Sequence, residues 1–129
     1  MKRYLLDTHV FIWWITADPK LSKKATSLIA STENEILISA VTAWEIAIKA
    51  SLGRLNETGN PESTVPMHIQ KNNFQVLDIS VKAALGVFSL PTIHSDPFDR
   101  LLVSQAKVEK VPIISIDDLF DRYGIERVF

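Results

Sequence analysis

The chemistry open to this chain rests on carboxylates. Four separated segments each present one or two: L-L-D-T around Asp7, T-A-W-E-I-A-I-K around Glu45, H-S-D-P-F-D-R with Asp96 and Asp99, and S-I-D-D with Asp117 and Asp118. The chain has no cysteine, and its histidines, His9, His68 and His94, are scattered. Thiolate metal sites and disulfides are thereby excluded, and a reducing compartment fits. A cluster of carboxylate oxygens suits Mg²⁺ or Mn²⁺ rather than zinc. Such an ion turns a bound water into a nucleophile and stabilises charge on a phosphodiester.

Each acid also has a plainer use. Asp96 before Pro97 reads as the N-cap of a helix, with Asp99 in its first turn. Asp7 and Asp117 can cap the elements that follow them, and Asp118 competes for the second of those roles. Thr42-x-x-Glu45 has the form of a capping box, and Glu45 to Lys49 has the spacing of an i,i+4 ion pair. Glu45 is the most telling of the set, because its neighbours are apolar and an ionised carboxylate buried among them needs a positive partner. Asp78 follows a strand with no second acid behind it and reads as a turn residue.

The elements that must position these acids alternate in type. Strands are expected at Arg3 to Leu6, Glu35 to Ser39, Phe74 to Leu77 and Val111 to Ile116, with a last edge strand at Glu126 to Phe129. Helices are expected at His9 to Thr16, at Leu21 to Ala30 opened by Ser22, and at Ala40 to Leu52 closed by Gly53. The last of these is apolar on nearly every side and is expected to be buried. Leu55 to Pro66 reads as a loop, punctuated by Gly59, Pro61 and Pro66, with a weak helix at Met67 to Asn73. Ser80 to Phe88 reads as a helix with Val81, Ala84, Leu85 and Phe88 on one side. The helix from Pro97 runs to about Glu109, and a short one at Leu119 to Tyr123 stops at Gly124. Alternating strands and helices imply a parallel sheet covered on both faces, with ligands beyond the carboxyl ends of its strands. Asp7 and Asp117 fall at that edge, and the helix mouth carrying Asp96 and Asp99 can reach it.

At 129 residues, 47% of them hydrophobic and 22% charged, the chain reads as one folded domain over 1–129, with no linker, repeat or low-complexity tract. A net charge of −1 means that a nucleic acid would be held by local basic patches or by metal ions, not by overall charge. Met1 to Ile15 imitates a short signal peptide, but Asp7 and His9 interrupt it and no stretch is long enough to span a membrane. A cytoplasmic protein without membrane attachment is expected.

Four motifs then carry a resemblance. D-T-H-x-x-I-W-W at Asp7 to Trp14, S-A-V-T-A-W-E-I-A-I-K at Ser39 to Lys49, L-P-x-x-H-x-D-P-F-D-R-L-L-V-x-Q-A at Leu90 to Ala106 and S-I-D-D-L-F-D-R-Y-G-I at Ser115 to Ile125 together resemble the PIN-domain family. Within it they are most similar to the VapC-type toxins of prokaryotic toxin–antitoxin pairs. The resemblance spans nearly the whole chain. It implies a three-layer α/β/α sandwich around a mostly parallel sheet of four or five strands. It also implies a metal-dependent ribonuclease, a cognate antitoxin that inhibits it, and a homodimer. Carried over by position, Asp7, Glu45, Asp99 and Asp117 match the family's acidic quartet, holding one or two Mg²⁺ or Mn²⁺ ions. Asp96 then caps its helix, Thr8 and Ser115 orient carboxylates, and His94, Arg100 and Arg122 are candidate phosphate contacts. Trp13, Trp14 and Trp44 are read as packing residues before base-stacking ones. The rival reading is a non-catalytic RNA- or protein-binding module in which the acids only cap helices.

Overall fold

The computed structural model describes residues 2–129. Its strands are β1 (Lys2–Leu6), β2 (Asn34–Ser39), β3 (Gln75–Leu77), β4 (Ile113–Ile114) and β5 (Arg127–Val128). Its helices are α1 (Thr8–Ile15), α2 (Lys23–Ala30), α3 (Ala40–Ser51), α4 (Pro61–Lys71), α5 (Val81–Gly86) and α6 (Pro97–Glu109). Short 3-10 turns occupy Val87–Ser89 and Asp118–Tyr123.

The strands lie in the order β3-β2-β1-β4-β5, and every pairing is parallel. The chain builds outward from β1 through β2 to β3, then returns to the other side of β1 for β4 and β5. The order therefore reverses between β1 and β4. Connections on the two sides leave the carboxyl ends of these strands in opposite directions and open a crevice there.

Alternation along the strands assigns each core. Tyr4, Leu6, Ile36, Ile38 and Ile114 face one layer and pack with Val10, Phe11, Ala25, Ile29 and Val65 from α1, α2 and α4. Leu5, Leu37 and Ile113 face the other and pack with Leu102, Val103, Ala106, Phe120 and Tyr123. Helix α3 serves both, giving Ile46 to the first core and Val41 to the second. This is the expected three-layer α/β/α sandwich, with five strands.

Two local expectations are corrected. The segment read as a loop to Pro66 already turns helical at Pro61, because Asn60 caps the Glu62 N–H and Pro61 sits in the first turn, where a missing N–H costs nothing. Pro66 lies inside α4, which joins it to the weak helix expected after it. Helix α3 is not enclosed: Trp44 is 52% exposed and Leu52 lies outside too. The apolar side of α5 faces solvent, with Val81, Leu85 and Phe88 (84% exposed) outside and Ala83 inside. There Gly86 approaches so closely that a Cβ would meet the Ser104 hydroxyl, and that hydroxyl donates to the Ala83 carbonyl.

Candidate active site

Asp7 is the first residue after β1 and is 4% exposed. It occupies the N-cap position of α1, yet its side chain makes no capping bond. Its Oδ2 instead accepts from the Ser115 hydroxyl, 2.7 Å away, just beyond β4. The plain capping role of Asp7 is thus absent, and its carboxylate bridges the two strands at which the sheet order reverses. Burial raises its pKa above the usual carboxylate range, against the Ser115 bond and the His9 charge, and the Glu45 carboxylate adds to the rise.

Glu45 is 3% exposed. The capping-box reading fails, because Ser39 is the N-cap of α3 and its hydroxyl accepts the Val41 N–H. Thr42 instead meets the Thr8 hydroxyl at 3.1 Å, tying α1 to α3. The ion-pair reading holds for one oxygen: Lys49 Nζ lies 2.5 Å from Oε2. Oε1 is buried with no partner at all. A buried acceptor left unmade costs about 1–3 kcal/mol, so this atom marks a place where a cation or donor is wanted.

Asp96 caps α6, accepting the Phe98 N–H at 2.7 Å and, more weakly, that of Asp99 at 3.4 Å. Asp99, one turn in, is therefore free of the capping task. Its pKa is pushed up to about 7, first by burial and then by the negative charges of Asp7, Asp96 and Glu45, with His94 pulling the other way. Mutual repulsion of this kind places Asp7, Glu45, Asp96 and Asp99 in one electrostatic neighbourhood.

Asp117 enters from the second side. Its N–H donates to the Ser115 hydroxyl oxygen at 3.0 Å, so Ser115 couples it to Asp7. Its Oδ1 caps the following 3-10 turn through the Leu119 N–H at 3.0 Å, and its Oδ2 lies 2.7 Å from His94 Nε2. Asp118 is exposed on that turn, and Asp78 is exposed with only its backbone carbonyl engaged, by Gln105.

The supporting residues divide. The Ser115 hydroxyl donates to Asp7, whereas the Thr8 hydroxyl goes to Thr42. His94 is buried with both ring nitrogens engaged, by Tyr123 and Asp117, so it has no nitrogen left for a phosphate. Arg100 turns its guanidinium onto the carbonyls of Pro91 (2.9 Å) and Val87 (3.2 Å) and braces the loop before α6. Of the three phosphate candidates only Arg122 is exposed. Trp14 packs inward and donates to Asn72, and Trp13 meets Phe129 edge-on. Trp44 is exposed and lies edge-on to Phe98, its ring centre 4.9 Å away. It thus stands beside the residues that precede two of the acids.

Sequence reasoning missed two contributors. Tyr123 reaches back across 29 residues to His94, and no local pattern signals that. Arg127 forks onto Asp121 (2.9 and 3.1 Å) and also donates to the Ser115 carbonyl at 3.0 Å, steadying the loop that carries Ser115 and Asp117.

Among the described residues no three Asp, Glu or His side chains close around a single metal position. The donor chemistry nevertheless fits a hard divalent cation. The set is all oxygen, Glu45 Oε1 lacks a partner, and the Asp7 and Asp99 carboxyls are held above their usual range first by burial and then by neighbouring carboxylates.

A PIN-domain family model matches residues 4–126. No curated relative matches the chain by sequence. Among solved structures, the chain is similar to VapBC2 from Rickettsia felis bound to a promoter DNA fragment, with TM-score 0.73, 19% identity, and 98% of this chain and 97% of that chain covered. It is also similar to DNA-bound VapBC from Salmonella typhimurium (TM-score 0.68, 21% identity, 99% and 98% covered). A third is FitAcB from Neisseria gonorrhoeae (TM-score 0.68, 16% identity, 98% and 96% covered). At these identities the likeness is one of fold.

Proposed function

The chain belongs to the PIN-domain family, and from that premise we propose that it is a divalent-metal-dependent endoribonuclease, the toxin of a toxin–antitoxin pair. The observation that carries this reading is the set of buried Asp7 and Glu45 and half-buried Asp99 by the sheet's reversal point, with Asp7 and Asp99 held above the usual carboxylate range by burial and neighbouring charge. Helix capping needs none of that burial. Asp7 caps nothing, Asp99 leaves the capping to Asp96, and Glu45 leaves it to Ser39. Carboxylates kept together against their repulsion are what a cation site requires.

Asp7, Glu45, Asp99 and Asp117 would hold one or two Mg²⁺ or Mn²⁺ ions. When bound, the metal supplies a Lewis acid that lowers the pKa of water and neutralises charge on a phosphodiester. The protein's own part is placement. Ser115 holds Asp7 by Oδ2 and receives the Asp117 N–H, so one hydroxyl sets two carboxylates. The Asp96 cap takes the first N–H groups of α6 and leaves Asp99 to the site. Lys49 balances one oxygen of Glu45. Trp44 offers an exposed ring on which an unpaired base can stack, and Arg122 an exposed charge.

The partner side of the proposal has its own support. Solved structures of similar fold include a toxin–antitoxin complex from Klebsiella pneumoniae. The solvent-facing row of Val81, Leu85 and Phe88, with Val76 and Ile79 nearby, is the kind of surface another protein covers. A homodimer and a cytoplasmic location belong to the same reading, as does one domain over residues 1–129. No helix among the described residues is long and apolar enough to cross a membrane.

The test is digestion of total RNA by the purified protein, with and without Mn²⁺ and with cut sites mapped. Discrete cuts that need the ion and vanish in Asp7→Asn are expected. RNA bound but uncut at all metal concentrations would instead establish the non-catalytic binding module.

A further inference from the structure

His94 is the one histidine buried against the acidic crevice, and the function above gives it no task. Its ring lies between Tyr123, nearly parallel to it (12°, centres 5.5 Å apart), and Phe120, with centres 4.9 Å apart. The loop before α6 thus brings His94 against the 3-10 turn, whose N-cap is Asp117 and whose last residue is Tyr123.

The hydrogen bonds around the ring have a direction. The Tyr123 hydroxyl oxygen accepts the backbone N–H of His94 at 2.9 Å and lies 2.7 Å from Nδ1 of the same residue. A phenol oxygen has two lone pairs, so the backbone N–H alone leaves its proton undirected; the Asp117 carboxylate, which only accepts, places the ring proton on Nε2 and so turns the phenol proton toward Nδ1. In the neutral ring Nδ1 therefore accepts, and the ring proton resides on Nε2. Nε2–H then donates to Asp117 Oδ2 at 2.7 Å. Without the phenol, Asp117 alone holds the proton on Nε2, and the Nδ1 tautomer gains population. The Nε2 lone pair would then face a carboxylate lone pair, and Asp117, whose side chain is 34% exposed, would turn toward water.

We propose that Tyr123 and His94 are positioning residues that present the Asp117 carboxylate to the crevice, Tyr123 by fixing which nitrogen of His94 carries the proton. The inference deepens the nuclease reading and rests on it for the use made of Asp117. It replaces the phosphate-contact role expected for His94. Orienting groups behind a metal ligand are worth about 10–100-fold in metal affinity or activity, and an effect of that size is expected here.

Two measurements on the full chain test it. Long-range proton–nitrogen NMR of the metal-free protein should show His94 protonated at Nε2 with Nδ1 accepting. Tyr123→Phe should mix the two tautomers, and Asp117→Asn should shift the Nε2–H signal. Mn²⁺ titration calorimetry should show affinity about 10-fold weaker in Tyr123→Phe and 10–100-fold weaker in His94→Leu. His94→Gln, which keeps an N–H donor toward Asp117, should recover most of that loss. Wild-type protein protonated at Nδ1 would overturn the proposal. So would a folded Tyr123→Phe with unchanged ring signals and unchanged Mn²⁺ affinity. If Tyr123→Phe does not fold, equal Mn²⁺ affinity in His94→Gln and His94→Leu overturns it in the same way. Should wild-type protein bind no Mn²⁺, the nuclease reading fails, and the ring spectra decide the Tyr123–His94–Asp117 link alone.

Discussion

Asp99 carries the clearest consequence at the scale of single residues. It holds its proton in the folded chain up to about pH 7, whereas its ordinary value is 3.8. Between those values the folded state binds more protons than the unfolded one, so this group makes stability fall as pH rises. Thermal unfolding of the metal-free protein, followed from pH 4 to 8, should show that decline flattening above about pH 7. Asp99→Asn should remove much of the slope and raise Tm at pH 8 by about 2–4 °C, solvent screening limiting the gain. The same variant should lose RNA cleavage, and full activity in it would contradict the assignment. Residue types point to this candidate site because carboxylates at strand ends and helix mouths have few uses, and a sequence shows where those ends fall. Tyr123 was not legible, because its partner is 29 positions away and nothing local distinguishes a bonded phenol from a packed one. Nor was the fate of Arg100, since a charge at helical spacing looks alike whether it faces water or carbonyls.

Elements were legible where a cap or a period marks them. Ser22 opens α2 and accepts the Ala25 N–H, and Gly124, at φ +76, ends the last 3-10 turn in the left-handed region that favours glycine. They were misread where one signal serves two structures. Pro61 marks a loop by composition and a first helical turn by position, and only the Asn60 cap settles it. Helix α5 has an apolar side at Val81, Leu85 and Phe88, yet small residues, Ala83 and Gly86, form its contact with α6 because Ser104 comes so close. Periodicity finds a face without saying what covers it. Arg100 belongs to this scale, as the clamp between α6 and the loop at Val87–Pro91. Arg100→Ala should destabilise the fold by about 1–3 kcal/mol in denaturant unfolding, since it strips donors from partly buried carbonyls. It should leave the salt dependence of RNA binding unchanged. A phosphate contact would show instead as a salt slope lower by about one.

For the whole molecule, the topology decides why residues so far apart matter together. One reversal of strand order between β1 and β4 puts Asp7 and Asp117 on neighbouring strand ends, with Ser115 joining them. In the proposed site, helix α3 carries Glu45 and helix α6 carries Asp99. The order β3-β2-β1-β4-β5 itself was not written in the hydrophobic pattern, which gives strands without their neighbours. That β1 to β4 run parallel was legible, since β1, β2 and β3 are each followed by helix long enough to cross over, whereas β4 reaches β5 through a short 3-10 turn. The account stands on this convergence having a cation as its purpose. Mn²⁺ titration calorimetry on wild-type protein beside Asp7→Asn, Glu45→Gln and Asp99→Asn measures that directly. Saturable binding in the wild type, tightening from pH 6 to pH 8 as the ion displaces the proton on Asp99 and weakened at least about 10-fold in every variant, is the predicted result. Wild-type and variant proteins that take up Mn²⁺ equally weakly would contradict it.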